Sequence, residues 1–321
     1  MIASHIQNIT INKEIVLENG QLRVSILPEC GGKISSIKSN KSGTEFLLQP
    51  SQTISNERDL QYGMSFLPPY AFGFDDCFPN IAKTTLRLPI GERDYPDHGE
   101  LWTSKFNYEI NGREKSCKIE TNGVFQEYIF KKKVSLNGKR LLIEYELENT
   151  SDTELNYIWS AHPLLEVDPE DEILLPEGIR HFEVYYSNIQ SLLKGDHLQW
   201  PINVRNVALA NVQEPWKEIA LKLFANNISS GKAGFYRKKS DESIVFNFDT
   251  YHLRHLGLWL CYGGWPESSE EKQLTVAIEP TNCDTDCLSE AIQQGKHTSL
   301  MPGKSNSWFF ELCIEPGYGN V

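Results

Sequence analysis

AsnGlyLysArgLeuLeuIleGluTyrGluLeuGlu (137–148) decides the architecture, because apolar and charged side chains alternate with period two across 142–148, directly after a turn dipeptide. That period sends one set of side chains to a core and the other to solvent, as in a half-buried strand, and Asn-Gly tolerates the left-handed backbone of a tight hairpin turn. The same alternation returns in LeuArgValSerIleLeu (22–27), SerIleValPheAsnPhe (243–248) and the closing PhePheGluLeuCysIle (309–314). Gly, Asn, Asp and Pro punctuate the runs, so the expectation is an all-β chain of antiparallel sheets, each with one solvated face, packed as a large β-sandwich. Helical periodicity is confined to one short segment. There Asp284 or Thr285 is expected to cap the start, Asp286 to complement the N-terminal dipole, LeuSerGluAlaIleGlnGln to continue the helix and Gly295 to end it.

No linker, repeat or low-complexity segment divides the 321 residues, which are expected to form a single domain over 1–321, with LeuProProTyr (67–70) as an ordered loop. The 31 basic and 43 acidic residues leave a net charge of -12, which argues against a nucleic-acid or anionic-membrane surface and for a small neutral partner. The first ten residues lack a basic segment followed by a long apolar one, and no apolar stretch is long enough to span a bilayer, so a cytoplasmic protein is expected, as monomer or homodimer. Seven cysteines spread from Cys30 to Cys313 suit reduced, partly buried thiols. Cys283 and Cys287 lack a second pair or nearby histidine to complete a zinc site, and His252 with His255 is as weak, so no metal is expected.

Three residues stand in surroundings that ask for an explanation. Glu279 lies in the apolar run ValAlaIleGluProThr (276–281), where a carboxylate is either neutralised by an Arg or Lys from a neighbouring strand or held ready to take a proton. His98, in AspHisGlyGluLeuTrp (97–102), sits on a loop or strand end between Pro96 and Gly99, with Asp97 or Glu100 as its plain hydrogen-bond partner. His162 ends the apolar strand of TrpSerAlaHisProLeuLeu (159–165), where it is either a satisfied structural histidine or a working one. A Glu and two His make an acid–base set, but their spacing does not bring them together.

Four segments, in order, resemble the aldose 1-epimerase (galactose mutarotase-like) family along nearly the whole chain. They are LeuProGluCysGlyGlyLysIleSerSerIle (27–37), GlyPheAspAspCysPheProAsnIle (73–81) leading to AspHisGlyGluLeuTrp, AlaHisProLeuLeu (161–165), and AlaIleGluProThr (277–281) with MetProGlyLysSer (301–305) beyond the helix. The resemblance implies an antiparallel β-supersandwich of the galactose mutarotase-like type with few short helices, and an open groove on one face. It implies Glu279 as the base that deprotonates the anomeric hydroxyl of an aldose, His162 as the acid that protonates the ring oxygen, and His98 as a stabiliser of developing charge. No cofactor is required, and the partner is a monosaccharide. Where well-characterised galactose mutarotases carry an Asn–His–Tyr–Phe–Asn-type run and an arginine contact to substrate, this chain has SerAlaHisProLeuLeu and offers Asp75, Asp76 and Asn80.

Asp76, Asn80 and Asp249 are therefore candidates to bind sugar hydroxyls, with Trp259 and Trp102 as flat faces for its C–H surface. Asp249 also suits the plainer role of capping a turn at a strand end. A sugar-phosphate epimerase is the alternative, with Arg254 and Lys33 as phosphate ligands. A non-catalytic carbohydrate-binding protein on the same scaffold is another. A lyase or hydrolase would call for a Tyr–His–Arg-like set or paired carboxylates across an extended cleft, which the lone Glu279 motif does not suggest.

Overall fold

The computed structural model describes residues 13–51, 60–88, 91–204, 207–267 and 269–321. The 137–148 segment turns as its sequence demands: strand Tyr128–Asn137 pairs antiparallel with strand Arg140–Asn149 in the register Arg140 to Asn137, and Gly138 takes φ 57° in the turn. Ile143, Tyr145 and Leu147 point inward and are buried, whereas Glu144 and Glu146 face out, opposite Lys133 and Lys131. Strand Ser305–Pro316 runs along the other edge of Arg140–Asn149. These strands sit inside an eight-stranded antiparallel sheet whose outermost members are Glu172–Leu174 and Asn107–Asn111.

A ten-stranded antiparallel sheet lies against it, in the order Ile15–Glu18, Leu22–Leu27, Lys33–Ser39, Phe74–Cys77, Ser160–Glu166, Leu274–Thr281, His255–Tyr262, Ile219–Ala225, His181–Ser187, His197–Gln199. One apolar core fills the space between the sheets, with Val24, Ile37, Phe74 and Ile278 from the larger and Ile143, Leu147, Phe246 and Phe310 from the smaller. Phe74 meets Phe310 edge to face with ring centroids 5.5 Å apart. The expected all-β antiparallel architecture is the one observed.

The central strands of the larger sheet depart from simple alternation. Ile219–Ala225 is buried at all seven positions, and Phe74–Cys77 at all four. Both faces of these strands are covered, one by the second sheet and the other by loops, so their sequences lose the period-two signal.

The helix runs Leu288–Gln294, and Gly295 ends it at φ 66°, as expected. Its start differs. Cys287 holds the N-cap position without a side-chain hydrogen bond, Asp284 pairs with Lys296 at 2.9 Å, and Thr285 donates to Glu290 at 3.0 Å. Asp286 does not serve the helix dipole. Its carbonyl oxygen accepts hydrogen bonds from the Ile81 and Ala82 amides, which turns its side chain toward the middle of the larger sheet. LeuProProTyr (67–70) is part of an ordered loop on the same face.

Candidate active site

The candidate side chains rise from five consecutive strands of the larger sheet, Ser160–Glu166 through His181–Ser187, and from the loops over that face. Register places Ser160 opposite Thr281 and Leu164 opposite Ala277, so His162 and Glu279, midway between, face each other across adjacent strands. His162 Nε2 is 3.7 Å from Glu279 Oε1. His98 arrives from the loop after strand Gly91–Tyr95, and its ring lies edge-on to His162 with centroids 4.8 Å apart. The structure thus brings together the three acid–base residues read from sequence, at the floor of a cleft of about 570 Å³.

His98 is held by backbone geometry that few residues accept. Its φ is 61°, in the left-handed region, and Gly99 follows at φ 75°. A Cβ on Gly99 would stand 2.1 Å from the Phe78 carbonyl oxygen, so glycine is the residue that lets this loop close against the Phe74–Cys77 strand end. Phe66 stacks on the His98 ring at 4.1 Å, and Trp102 packs edge-on against Phe66 from behind. His98 Nδ1 is 3.0 Å from Asp97 Oδ1.

The charges of the cleft are organised in pairs. Glu279 is fully buried, which pushes its carboxyl above the usual carboxylate range. Lys222 pulls it back down, and Asp286 adds to the rise. Lys222 Nζ donates to Glu279 Oε2 and lies 3.8 Å from Asp286 Oδ1. Burial disfavours the Lys222 ammonium, but the charges of Asp286 and Glu279 outweigh burial and raise its pKa. Burial likewise disfavours the His98 imidazolium, yet Asp97, by charge and hydrogen bond, with help from Asp286 and Glu279, raises its pKa above the ordinary imidazole value. His162 goes the other way: burial, then the positive charges of His98, Lys222 and Lys33, hold it well below the ordinary value, so it is neutral at rest.

Of the expected sugar contacts, Trp259 lines the cleft, near Trp265 and Tyr186. Four others do not reach it. Asp76 points to the opposite face of its strand and pairs with Lys132 of the other sheet at 2.8 Å, both side chains fully buried. Asn80 is fully buried and donates to the Ala82 and Pro96 carbonyls at 2.8 Å, which ties the His98 loop down. Asp249 caps a turn, accepting from the Tyr251 amide at 2.9 Å and pairing with His252 at 2.6 Å, on the rim of the smaller sheet's outer face. Trp102 is buried behind Phe66 and donates to the Asp97 carbonyl, so it supports the site from outside.

The sequence reading missed Lys222, Asp286, Phe66 and Gln273 as cleft residues. Lys222 carried a signal of the same kind as Glu279, a lone charge in the apolar run IleAlaLeuLysLeuPheAla (219–225). Tyr185 and Tyr186 both reach the cleft because a bulge between Val184 and Tyr186 breaks the register of their strand, which nothing in the sequence marks.

Among the described residues, one trio has donor atoms close enough to share a metal ion: Cys77, His98 and His162, all within 4.8 Å. In the protein as it stands, burial and the charges of Glu279 and Asp75 hold the Cys77 thiol protonated, which does not favour a thiolate ligand. Lys33 is buried against Asp75 and the Phe72 carbonyl, and Arg254 lies in a separate cleft, so neither of the residues considered for phosphate is available here.

No family model matches the chain, and no curated protein matches it in sequence. Solved structures do resemble it. A protein from Synechocystis superposes with a TM-score of 0.74 at 15% identity, covering 98% of this chain and 99% of that one. A galactose mutarotase-like protein from Clostridium acetobutylicum gives 0.69 at 18% identity over 96% and 97%. A protein from Escherichia coli proposed to be an aldose 1-epimerase gives 0.69 at 13% identity over 95% and 99%. The chain has the galactose mutarotase-like fold. Among the described residues, no helix is long and apolar enough to cross a membrane.

Proposed function

We propose that this protein is an aldose 1-epimerase acting on an uncharged sugar. The observation that carries the reading is Glu279 Oε1, a buried carboxylate oxygen with no hydrogen-bond partner among the described residues, facing two imidazoles across the floor of the cleft. Interconversion of anomers requires a proton to leave the O1 hydroxyl and another to reach the ring oxygen as the C1–O5 bond opens. Those two oxygens share one carbon, so a base and an acid only a few ångströms apart suit the chemistry. Glu279 Oε1 takes the O1 proton. Rotation about C1–C2 of the open aldehyde and reclosure with the roles reversed give the other anomer.

The distribution of charge refines the acid. The reading from resemblance gave that role to His162, but His162 has no carboxylate of its own, since Glu279 is committed to Lys222. His98 has Asp97 on Nδ1, which leaves its Nε2 as the free donor of an imidazolium. In our proposal the resident proton sits on His98, and neutral His162 completes the hydrogen bonding around the anomeric centre.

The lining supports a neutral sugar over a phosphorylated one. Four carboxylates, Asp97, Glu267, Glu279 and Asp286, meet a single Lys or Arg among the described lining residues, and that Lys222 already serves two of them. Trp259, Trp265 and Tyr186 offer the flat surfaces that sugar C–H faces pack against. The likeness in fold to the Escherichia coli protein agrees with this reading. Anomer exchange measured across a panel of free and phosphorylated aldoses tests it: acceleration for a free aldose is expected, and none for any aldose would refute it.

A further inference from the structure

Lys222 does not reach Glu279 from a neighbouring strand. Strand His255–Tyr262 lies between them: Lys222 pairs in register with Trp259, and Glu279 pairs with Gly257. The ammonium crosses that strand at Gly257, the one position in it without a side chain. A Cβ there would lie 3.1 Å from Glu279 Oε2 and 3.3 Å from Lys222 Nζ, tight against both partners. Gly257 has an ordinary backbone conformation, so its lack of a side chain serves this crossing and not a turn. On the far side, Asp286 stands 3.8 Å from the ammonium, its buried Oδ1 otherwise unpartnered among the described residues, its backbone pinned by the Ile81 and Ala82 amides.

We propose that Lys222 is a positioning residue for the reaction: reaching over Gly257 and steadied by Asp286, it fixes Glu279 Oε2 so that Oε1 alone is presented to the sugar and to His162. This rests on the epimerase reading of the site. A carboxylate free to rotate would offer either oxygen in many orientations. With one oxygen held by a charge-assisted hydrogen bond, the other is aimed. The same contact sets the base's charge. Glu279 is faced by Lys222 from strand Ile219–Ala225, His162 from Ser160–Glu166, Cys77 from Phe74–Cys77, His98 from its loop and Asp286 from the segment before the helix. Lys222 lowers the Glu279 pKa against burial, whereas Asp286 raises it.

The two residues therefore have opposite signatures. In Lys222→Met, Glu279 keeps burial and Asp286 but loses the ammonium, so the acid limb of the pH profile for anomer exchange moves up by one pH unit or more. At a fixed pH on that limb, the rate falls at least tenfold beyond any loss on the plateau. Asp286→Asn moves the limb down, and Lys222→Arg restores most of the wild-type limb. A uniform rate loss at every pH, or shifts of the same sign in both variants, would overturn the proposal. Carbon-13 NMR titration of the Glu279 carboxyl in the same folded variants reads the shifts without turnover. If wild type exchanges no anomers, the epimerase reading fails, and this titration still decides what Lys222 does to Glu279. A Glu279 titration unmoved by Lys222→Met would contradict the proposal by itself.

Discussion

In the proposed reaction Glu279 and His98 carry opposite halves of the chemistry, and each is tuned chiefly by one neighbour that works against burial. Burial holds the Glu279 carboxyl above the usual range in spite of Lys222, so the base is lost as pH falls through that raised value. Asp97 holds the His98 imidazolium above the usual range in spite of burial, so the acid is lost as pH rises through it. The expected profile of anomer exchange is a bell, whose limbs belong to the coupled cluster as a whole. His98→Gln should lower turnover about a hundredfold, the usual share of general acid catalysis, and remove the alkaline limb. A His98→Gln enzyme that keeps that limb would return the acid role to His162. The three acid–base residues were legible because each is a titratable group in apolar or turn-breaking sequence. Asp76 shows the limit of that logic: its burial is equally odd in sequence, but strand alternation turns it to the other sheet, and only the structure shows Lys132 waiting there.

At the level of elements, the Asn137–Gly138 turn and the alternating strand across 142–148 were legible, since both are local signals, whereas the bounds of the hairpin over 128–149 come from the structure. Of the five strands that build the site, those of His162 and Glu279 were read from their apolar runs, but the strand of Lys222 was not. Covered on both faces, Ile219–Ala225 reads as a plain apolar run, and its pairing with the strand at 255–262 is set by contacts distant in sequence. The helix start was misread because Asp286 has a stronger tertiary use than the helix dipole, a competition invisible in a seven-residue helix. The His98 loop closes against the Phe78 backbone at Gly99. Gly99→Ala must either leave φ 75° or drive a Cβ into the Phe78 carbonyl. It should cost about 2–3 kcal/mol of stability in urea unfolding, on the scale of strained backbone and overpacking. A Gly99→Ala protein as stable as wild type, with unchanged turnover, would show that the loop is not closed this way.

At the scale of the molecule, the two sheets meet through apolar packing into which, among the described residues, a buried ion pair is set, Asp76 with Lys132 at 2.8 Å. Such a pair contributes little over an apolar replacement, but losing one partner strands a charge. Asp76→Asn or Lys132→Met alone should each cost about 3–5 kcal/mol, and the double substitution Asp76→Leu with Lys132→Met should recover much of the loss. Additive losses in the double variant would mean that the two side chains act separately. This pair lies on the face of strand Phe74–Cys77 opposite to Asp75 and Cys77. The central claim, that the cleft floor opens and closes an aldose ring, is tested most directly by saturation-transfer NMR of anomer exchange for free aldoses, with wild type beside Glu279→Gln. The account predicts fast exchange of at least one unphosphorylated aldose by wild type, and exchange at the uncatalysed rate with Glu279→Gln even though the folded variant still binds that sugar. Equal exchange by both proteins, or none by wild type, would contradict it.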